Sequence, residues 1–332
     1  MDFVGTTEWL QETASGVSRA AEILRRGGTV ALPTETVYGL GANALDPKAV
    51  AKIFKAKERP GWDPLIVHVA DQTMLRLVVR EIPPAAVRLM EAFWPGPLTL
   101  LLPKSDAVPD LVTAGRSLVG VRMPRHPVML QVIREAGVPV AAPSANRFGR
   151  TSPTSAAHVL EDLEGRIDAI LDGGATQVGV ESTVADPCQA PMVVYRPGAV
   201  TLQMLETVAG PVVRYEPPAT TQNPESLPSP GVGIRHYAPR ARVVLVRDQA
   251  ELQEMVAALK PEWTGVLLPT GWTSEGQTFD WGRTPEEMAQ RLFAGLRDLD
   301  ARGVTSIVCP LPPEQGVGAA LLDRLRKAAM AS

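Results

Sequence analysis

A chain of 332 residues is long for one hydrophobic core and sufficient for two. Its 45% apolar and 21% charged content is that of an ordinary globular protein, and 33 Lys+Arg against 36 Asp+Glu leave a net charge of −3, which excludes a global basic field for nucleic acid. Cys188 and Cys309 are too few for a disulfide framework and fit a reducing, cytoplasmic compartment; residues 1–11 lack the apolar segment of a signal peptide, and no apolar run approaches the ~18 residues of a membrane span.

In chain order, Val17, Ala20, Ala21 and Leu24 recur at i, i+3, i+4 and i+7, which predicts a helix over 15–26. Gly27-Gly28 stops it, because glycine tolerates the left-handed turn at a helix C-terminus. A short strand over 29–32 follows and ends at Pro33. Further strands are predicted over 65–69, 98–102, 118–122, 138–142, 169–171 and 192–196, with helices over 47–58, 85–93 and 128–136 between several of them. This alternation argues for an α/β domain over residues 1–210. Seven prolines, at 211, 217, 218, 224, 228, 230 and 239, then mark residues 211–240 as an extended linker, since proline neither donates to a ladder nor continues a helix. Over 241–332 the pattern restarts: strands over 243–246, 265–268 and 306–309 alternate with helices over 250–259, 285–301 and 318–328. Thr284 with Glu287 reads as a capping box for the middle helix. Short apolar strands alternating with helices imply a small Rossmann-like parallel sheet.

Gly39-Leu40-Gly41-Ala42-Asn43-Ala44 matches a dinucleotide-binding fingerprint, with Glu58 about twenty residues on. That mechanism needs a helix to start at once, and here the next helix waits for Asp46-Pro47. A tight turn is the better reading of these glycines. The chain has no P-loop sequence, no H-E-x-x-H, no paired Cys/His spacing and no G-x-S-x-G elbow. If the chain acts on a phosphorylated substrate, it must bind phosphate another way.

One way is the predicted helix over 47–58. Lys57 continues its apolar stripe of Val50, Ile53 and Phe54, so it either reaches water or points into a cavity, with Arg59 beside it. Alone, the pair is as well explained by the ordinary preference for cations at helix C-termini. Ala142-Pro143-Ser144-Ala145-Asn146 follows a strand and offers small residues with short polar groups, which is also turn chemistry. Thr151-Ser152-Pro153-Thr154 extends this loop and resembles a helix start, while Glu181-Ser182-Thr183 and Arg196-Pro197-Gly198 repeat the theme.

Taken in order, these motifs resemble the YrdC-like family over essentially the whole chain. Pro33-Thr34-Glu35-Thr36, Lys57-Glu58-Arg59, Pro64 to His68, Trp94 to Thr99, Gly120 to Pro124, Ser144-Ala145-Asn146, Glu181-Ser182-Thr183 and Arg196-Pro197-Gly198 carry the resemblance. Ser229-Pro230-Gly231 and Arg235-His236-Tyr237-Ala238-Pro239 are similar to the linker signature of the family's long, two-domain form. The resemblance implies a twisted open mixed sheet with helices, followed by the Rossmann-like α/β/α domain. It implies a nucleotidyltransferase that joins L-threonine, bicarbonate and ATP into threonylcarbamoyl-adenylate and pyrophosphate. Downstream transfer proteins then modify a tRNA adenosine beside the anticodon, with at most weak tRNA contact here and no membrane.

By the same matching, Lys57, Arg59, Ser144 and Asn146 are the expected catalytic set, and Asp63, Ser152, Arg196 and Tyr237 join them on the ATP side. Thr34, Thr36, His68, Arg122, Ala142 and Ser182 are expected to hold threonine, with Arg122 pairing its carboxylate. The linker around Tyr237 is expected to close over the cavity, and Mg²⁺ to accompany ATP. Trp62-Asp63-Pro64 departs from the family's usual Asp-Asn-Pro, so Asp63 either needs metal mediation near phosphates or points away. Two alternatives are a noncatalytic RNA-binding module and a carbamoyl-adenylate-forming relative, the latter disfavoured by the missing four-cysteine spacing.

Overall fold

In a computed structural model, residues 5–216, 227–229 and 237–331 of the chain are described. Eleven strands form the larger sheet: β1 (Glu8–Gln11), β2 (Val30–Leu32), β3 (Gly39–Asn43), β4 (Ile66–His68), β5 (Leu98–Pro103), β6 (Leu118–Arg122), β7 (Val140–Ala141), β8 (Ala169–Asp172), β9 (Thr183–Asp186), β10 (Met192–Arg196) and β11 (Val212–Arg214). Their order is β1-β8-β2-β3-β7-β4-β6-β5-β9-β10-β11, with parallel and antiparallel pairs interspersed. The predicted helices form over Ala14–Arg25, Pro47–Lys57, Pro84–Phe93 and Pro127–Ala136, each burying one apolar stripe. Thr13 and Asp46 cap the first two through side-chain oxygens.

The second sheet contains β12 (Arg242–Val246), β13 (Thr264–Pro269), β14 (Gln277–Gly282) and β15 (Ser306–Pro310), in the order β12-β15-β13-β14 and parallel throughout. The capping box at Thr284 and Glu287 is present. Among the described residues no helix is long and apolar enough to cross a membrane.

Three expectations are corrected. Gly39 and Gly41 lie inside β3, not in a turn: a Cβ at Gly41 would stand 2.9 Å from Val140 Cγ1, and one at Gly39 would stand 3.2 Å from Ala142 Cβ. They are small because β7 lies beside them, so nothing is left of a phosphate-binding turn. Thr151 to Thr154 is not the helix start; Ser155 caps a helix over Ala156–Leu163. The proline-rich segment is not uniformly a linker, because β11 falls within it and pairs in parallel with β10. Pro230, Gly231, Arg235 and His236 of the linker signature lie outside the described residues.

Candidate active site

The pocket floor is one face of the larger sheet. Ile66 and His68 are two apart on β4, so they project to the same side, and Arg122 on β6 is in register with His68. Around this floor the loop after β2, the segment after β7, the turn before β9 and the end of β10 raise polar walls. The cleft, whose cavity volume is about 60 Å³, is lined by Thr34, Thr36, His68, Arg122, Ala142 and Ser182 from the expected threonine set. Arg59, Ser144, Arg196 and Tyr237 of the expected ATP set line it as well.

Arg122 is held by three contacts. Its Nη2 lies 2.8 Å from Glu35 Oε1, Nη1 donates to Thr36 Oγ1 at 3.0 Å, and Nε donates to Gly96 O at 3.2 Å. Glu35 also accepts from the Arg125 N–H through Oε2 at 3.1 Å. Burial pushes the Glu35 carboxyl up, but the Arg122 charge and these hydrogen bonds outweigh it and hold Glu35 below its ordinary value. The Thr34 and Thr36 hydroxyls are 2.8 Å apart, and Thr34 accepts from the Thr36 N–H at 3.1 Å, so the turn is locked by its own side chains. His68 is neutral: burial first, then the Arg122 charge, push it down to about 3.

Across the cleft, Ser182 Oγ is 2.8 Å from Thr99 Oγ1 and accepts from Arg196 Nη2 at 3.1 Å. Arg196 Nε also donates to Ser182 O at 3.0 Å. Arg59 presents its guanidinium to the cleft while Nη2 stands 2.9 Å from Asp63 Oδ2 and donates to Pro64 O at 2.8 Å. Asp63 therefore turns to Arg59 and is not part of the lining.

Three other expected residues also stand behind the wall. Lys57 is buried, and its Nζ donates to Ser144 O at 2.5 Å and to Asn146 O. Burial, then the neighbouring Arg59 charge, lower its pKa well below the ordinary range. Asn146 Nδ2 donates to Arg147 O and Arg150 O, at 2.9 and 2.8 Å, and Ser152 Oγ donates to Glu181 Oε1 at 2.5 Å. Sequence reasoning did not single out Glu35 as the partner of Arg122, nor Glu181 as a lining residue, though both sit inside quoted motifs. A buried arginine implies a buried acid nearby, and that signal was available.

Described residues of the linker bond to the first unit. Leu227 N donates to Trp62 O at 2.9 Å, and Ala238 N donates to Gly149 O at 3.0 Å. Tyr237 is buried, lines the pocket and stacks on Phe293 at 5.7 Å between ring centres.

A mixed sheet whose face carries arginines, threonine hydroxyls and a neutral histidine, joined to a four-stranded parallel sheet, has known counterparts. A family model described as telomere recombination, covering Sua5, YciO and YrdC proteins, matches residues 22–198. Another, described as the C-terminal domain of threonylcarbamoyl-AMP synthase, matches residues 200–330. The threonylcarbamoyl-AMP synthase of Pyrococcus abyssi is 46% identical, with 93% of this chain and 92% of that protein covered. That of Bacillus subtilis is 43% identical, with 98% and 96% covered. The crystal structure of P. abyssi Sua5 complexed with L-threonine superposes with a TM-score of 0.91 at 44% identity, covering 98% of each chain. The chain belongs to the Sua5/YrdC family of nucleotidyl-transferring enzymes, in its two-part threonylcarbamoyl-AMP synthase branch.

Proposed function

We propose that this chain joins L-threonine, bicarbonate and ATP into threonylcarbamoyl-adenylate and pyrophosphate, for threonylcarbamoylation of tRNA. The observation that carries the reading is the convergence of Arg59, Arg122 and Arg196 on one cleft with the hydroxyls of Thr36 and Ser182. Arg122, already oriented by Glu35 and Thr36, receives the amino acid carboxylate, and neutral His68 leaves the threonine amine free of a second cation. The threonine amine condenses with bicarbonate to a carbamate with loss of water. A carbamate oxygen then attacks the α-phosphorus, the bond between the α- and β-phosphates breaks and pyrophosphate leaves, so negative charge builds on the leaving group. Arg59 and Arg196 stabilise that charge. Ser144 orients the phosphates, while Lys57 and Asn146 hold the Ser144 loop in place from behind the wall.

Among the described residues no three His, Cys, Asp or Glu side chains are grouped to hold a metal ion, and Glu35 and Asp63 are engaged with arginines. The residues therefore fit Mg²⁺ as an ion carried on the ATP phosphates, where it neutralises phosphate charge, and not as one held in a protein cage. Tyr237, buried and stacked on Phe293, borders the cleft and keeps water from a labile mixed anhydride.

Purified protein with Mg²⁺ is expected to release pyrophosphate from ATP only when threonine and bicarbonate are both present. Absence of release, with steeply salt-dependent tRNA binding instead, establishes the RNA-module alternative.

A further inference from the structure

The two sheets belong to units that share a wall behind the cleft. Gly179 (φ 78°) lies in a loop whose Val178 N–H donates to Glu35 O at 2.8 Å and whose own N–H donates to Thr36 O at 3.1 Å. The Pro285–Ala301 helix of the second unit presses on this glycine so closely that a Cβ would stand 2.3 Å from the Ala289 carbonyl oxygen. Val37, Val180 and Tyr237, all from beside the cleft, share a hydrophobic core with Phe293 and Leu321 of the second unit.

Within that wall Arg324, on the Gly318–Ala331 helix, is completely buried. Its Nε donates to Glu181 Oε2 at 2.8 Å and Nη1 donates to Pro197 O at 3.0 Å. The guanidinium lies 5.2 Å from the centre of the Tyr237 ring and also pairs with Asp323 at 2.8 Å. Glu181 immediately precedes Ser182, and Pro197 immediately follows Arg196. One rigid fork thus spans the two backbone segments that present the Ser182 hydroxyl and the Arg196 guanidinium to the cleft.

We propose that Arg324 is a positioning residue for the reaction, and that through it the second unit forms the rear wall of the active site. Arg324 sets the spacing of Ser182 and Arg196 without touching the cleft. It also neutralises Glu181, a lining carboxylate that would otherwise repel ATP and the threonine carboxylate at short range. The assay rests on the synthase reading; the geometry does not.

The test compares full-length Arg324→Lys, Arg324→Met, Glu181→Gln and the Arg324→Met/Glu181→Gln double variant, with Arg214→Ala as control. Arg214 pairs with Asp323 at 3.1 Å across the same interface but is exposed and does not line the cleft. Wild-type pyrophosphate release is measured first, so its absence counts against the reaction and not against Arg324. Arg324→Lys keeps the charge but cannot bridge 181 and 197. It is expected to melt near wild type while kcat/KM for threonine falls about 10- to 100-fold, the range expected for a slightly misplaced site. Arg324→Met is expected to lose at least as much, and the double variant no more than the worse single change, as for residues acting as one unit. Hydrogen exchange is expected to rise at 179–183 and 196–198 in Arg324→Met, and Arg214→Ala to keep wild-type turnover. Full activity in folded Arg324→Lys, or multiplying losses in the double variant, overturns the proposal.

Discussion

Arg59 and Asp63 form an ion pair at 2.9 Å, with both side chains buried at the edge of the cleft. The pair accounts for an acid where a phosphate-binding family usually carries asparagine: Asp63 neutralises Arg59, and the Arg59 Nε donor to Asp63 O at 3.1 Å fixes the turn. Asp63→Asn is expected to leave the Arg59 charge underpaired and to cost about 3 kcal/mol, the low end for a broken buried pair. Pyrophosphate or ATP supplies the missing anion, so either ligand is expected to raise the variant's melting temperature more than wild type's. Equal ligand-induced shifts in a thermal melt would contradict this account.

Lys57 demands a different prediction from the one its helix-end position suggests. A solvated cation is removable at little cost, but this ammonium is buried and bonded to the carbonyls of Ser144 and Asn146. Lys57→Ala is expected to strand the buried Asn146 carbonyl at about 1–3 kcal/mol and to unpair the half-buried Ser144 carbonyl as well. Melting temperature and pyrophosphate release are expected to fall together. Lost release with unchanged melting would instead place Lys57 on the substrate.

How far the sequence reached follows from period and length. Strands of three or more apolar residues, such as β2 and β6, were legible, as were helices with a full apolar stripe, such as Pro127–Ala136. Strand β14, with exposed and buried residues mixed, carried no run to read, and β9 was read as a hydroxyl motif because it opens with Thr183. Ten expected residues meet in the cleft; Lys57, Asp63, Asn146 and Ser152 stand behind it, since motif order reveals membership of a site but not which side of its wall a residue occupies. Arg324 had a signal that went unused. It falls three residues after Leu321 and four before Ala328 on the buried stripe of its helix.

Gly41 tests the reading of the glycine fingerprint as sheet packing. Gly41→Ala forces a methyl group against Val140 and within 3.2 Å of Leu32 and the Val30 carbonyl. The expected cost is about 1–3 kcal/mol for overpacking, read by urea denaturation. At a temperature where the variant is folded, its KM for ATP is expected to match wild type. A selective loss of ATP affinity would revive a nucleotide role for the fingerprint.

Acid is expected to unfold this protein from an unusually high pH. Burial, then Arg122, push His68 down to about 3, and burial, then Arg297, push His158 down to about 4. Unfolded, both titrate near 6.5, so above that pH the two states bind the same number of protons. Between about 6.5 and 4 the unfolded chain binds more, and stability falls with pH by up to about 1.4 kcal/mol per unit for each histidine. Glu35 and Glu181, held low by arginines against the opposing effect of burial, act in the same direction further down. Their contribution is complete above the ordinary carboxylate range and is lost as pH falls through their depressed values. Denaturant unfolding at pH 8, 6 and 5 is expected to show a flat upper region followed by a steep decline. His158→Gln is expected to reduce the slope between 6 and 5 without abolishing it, because His68 remains and so does His126, which burial also pushes down, and an unchanged slope in that variant would mean that His158 takes up its proton equally in both states.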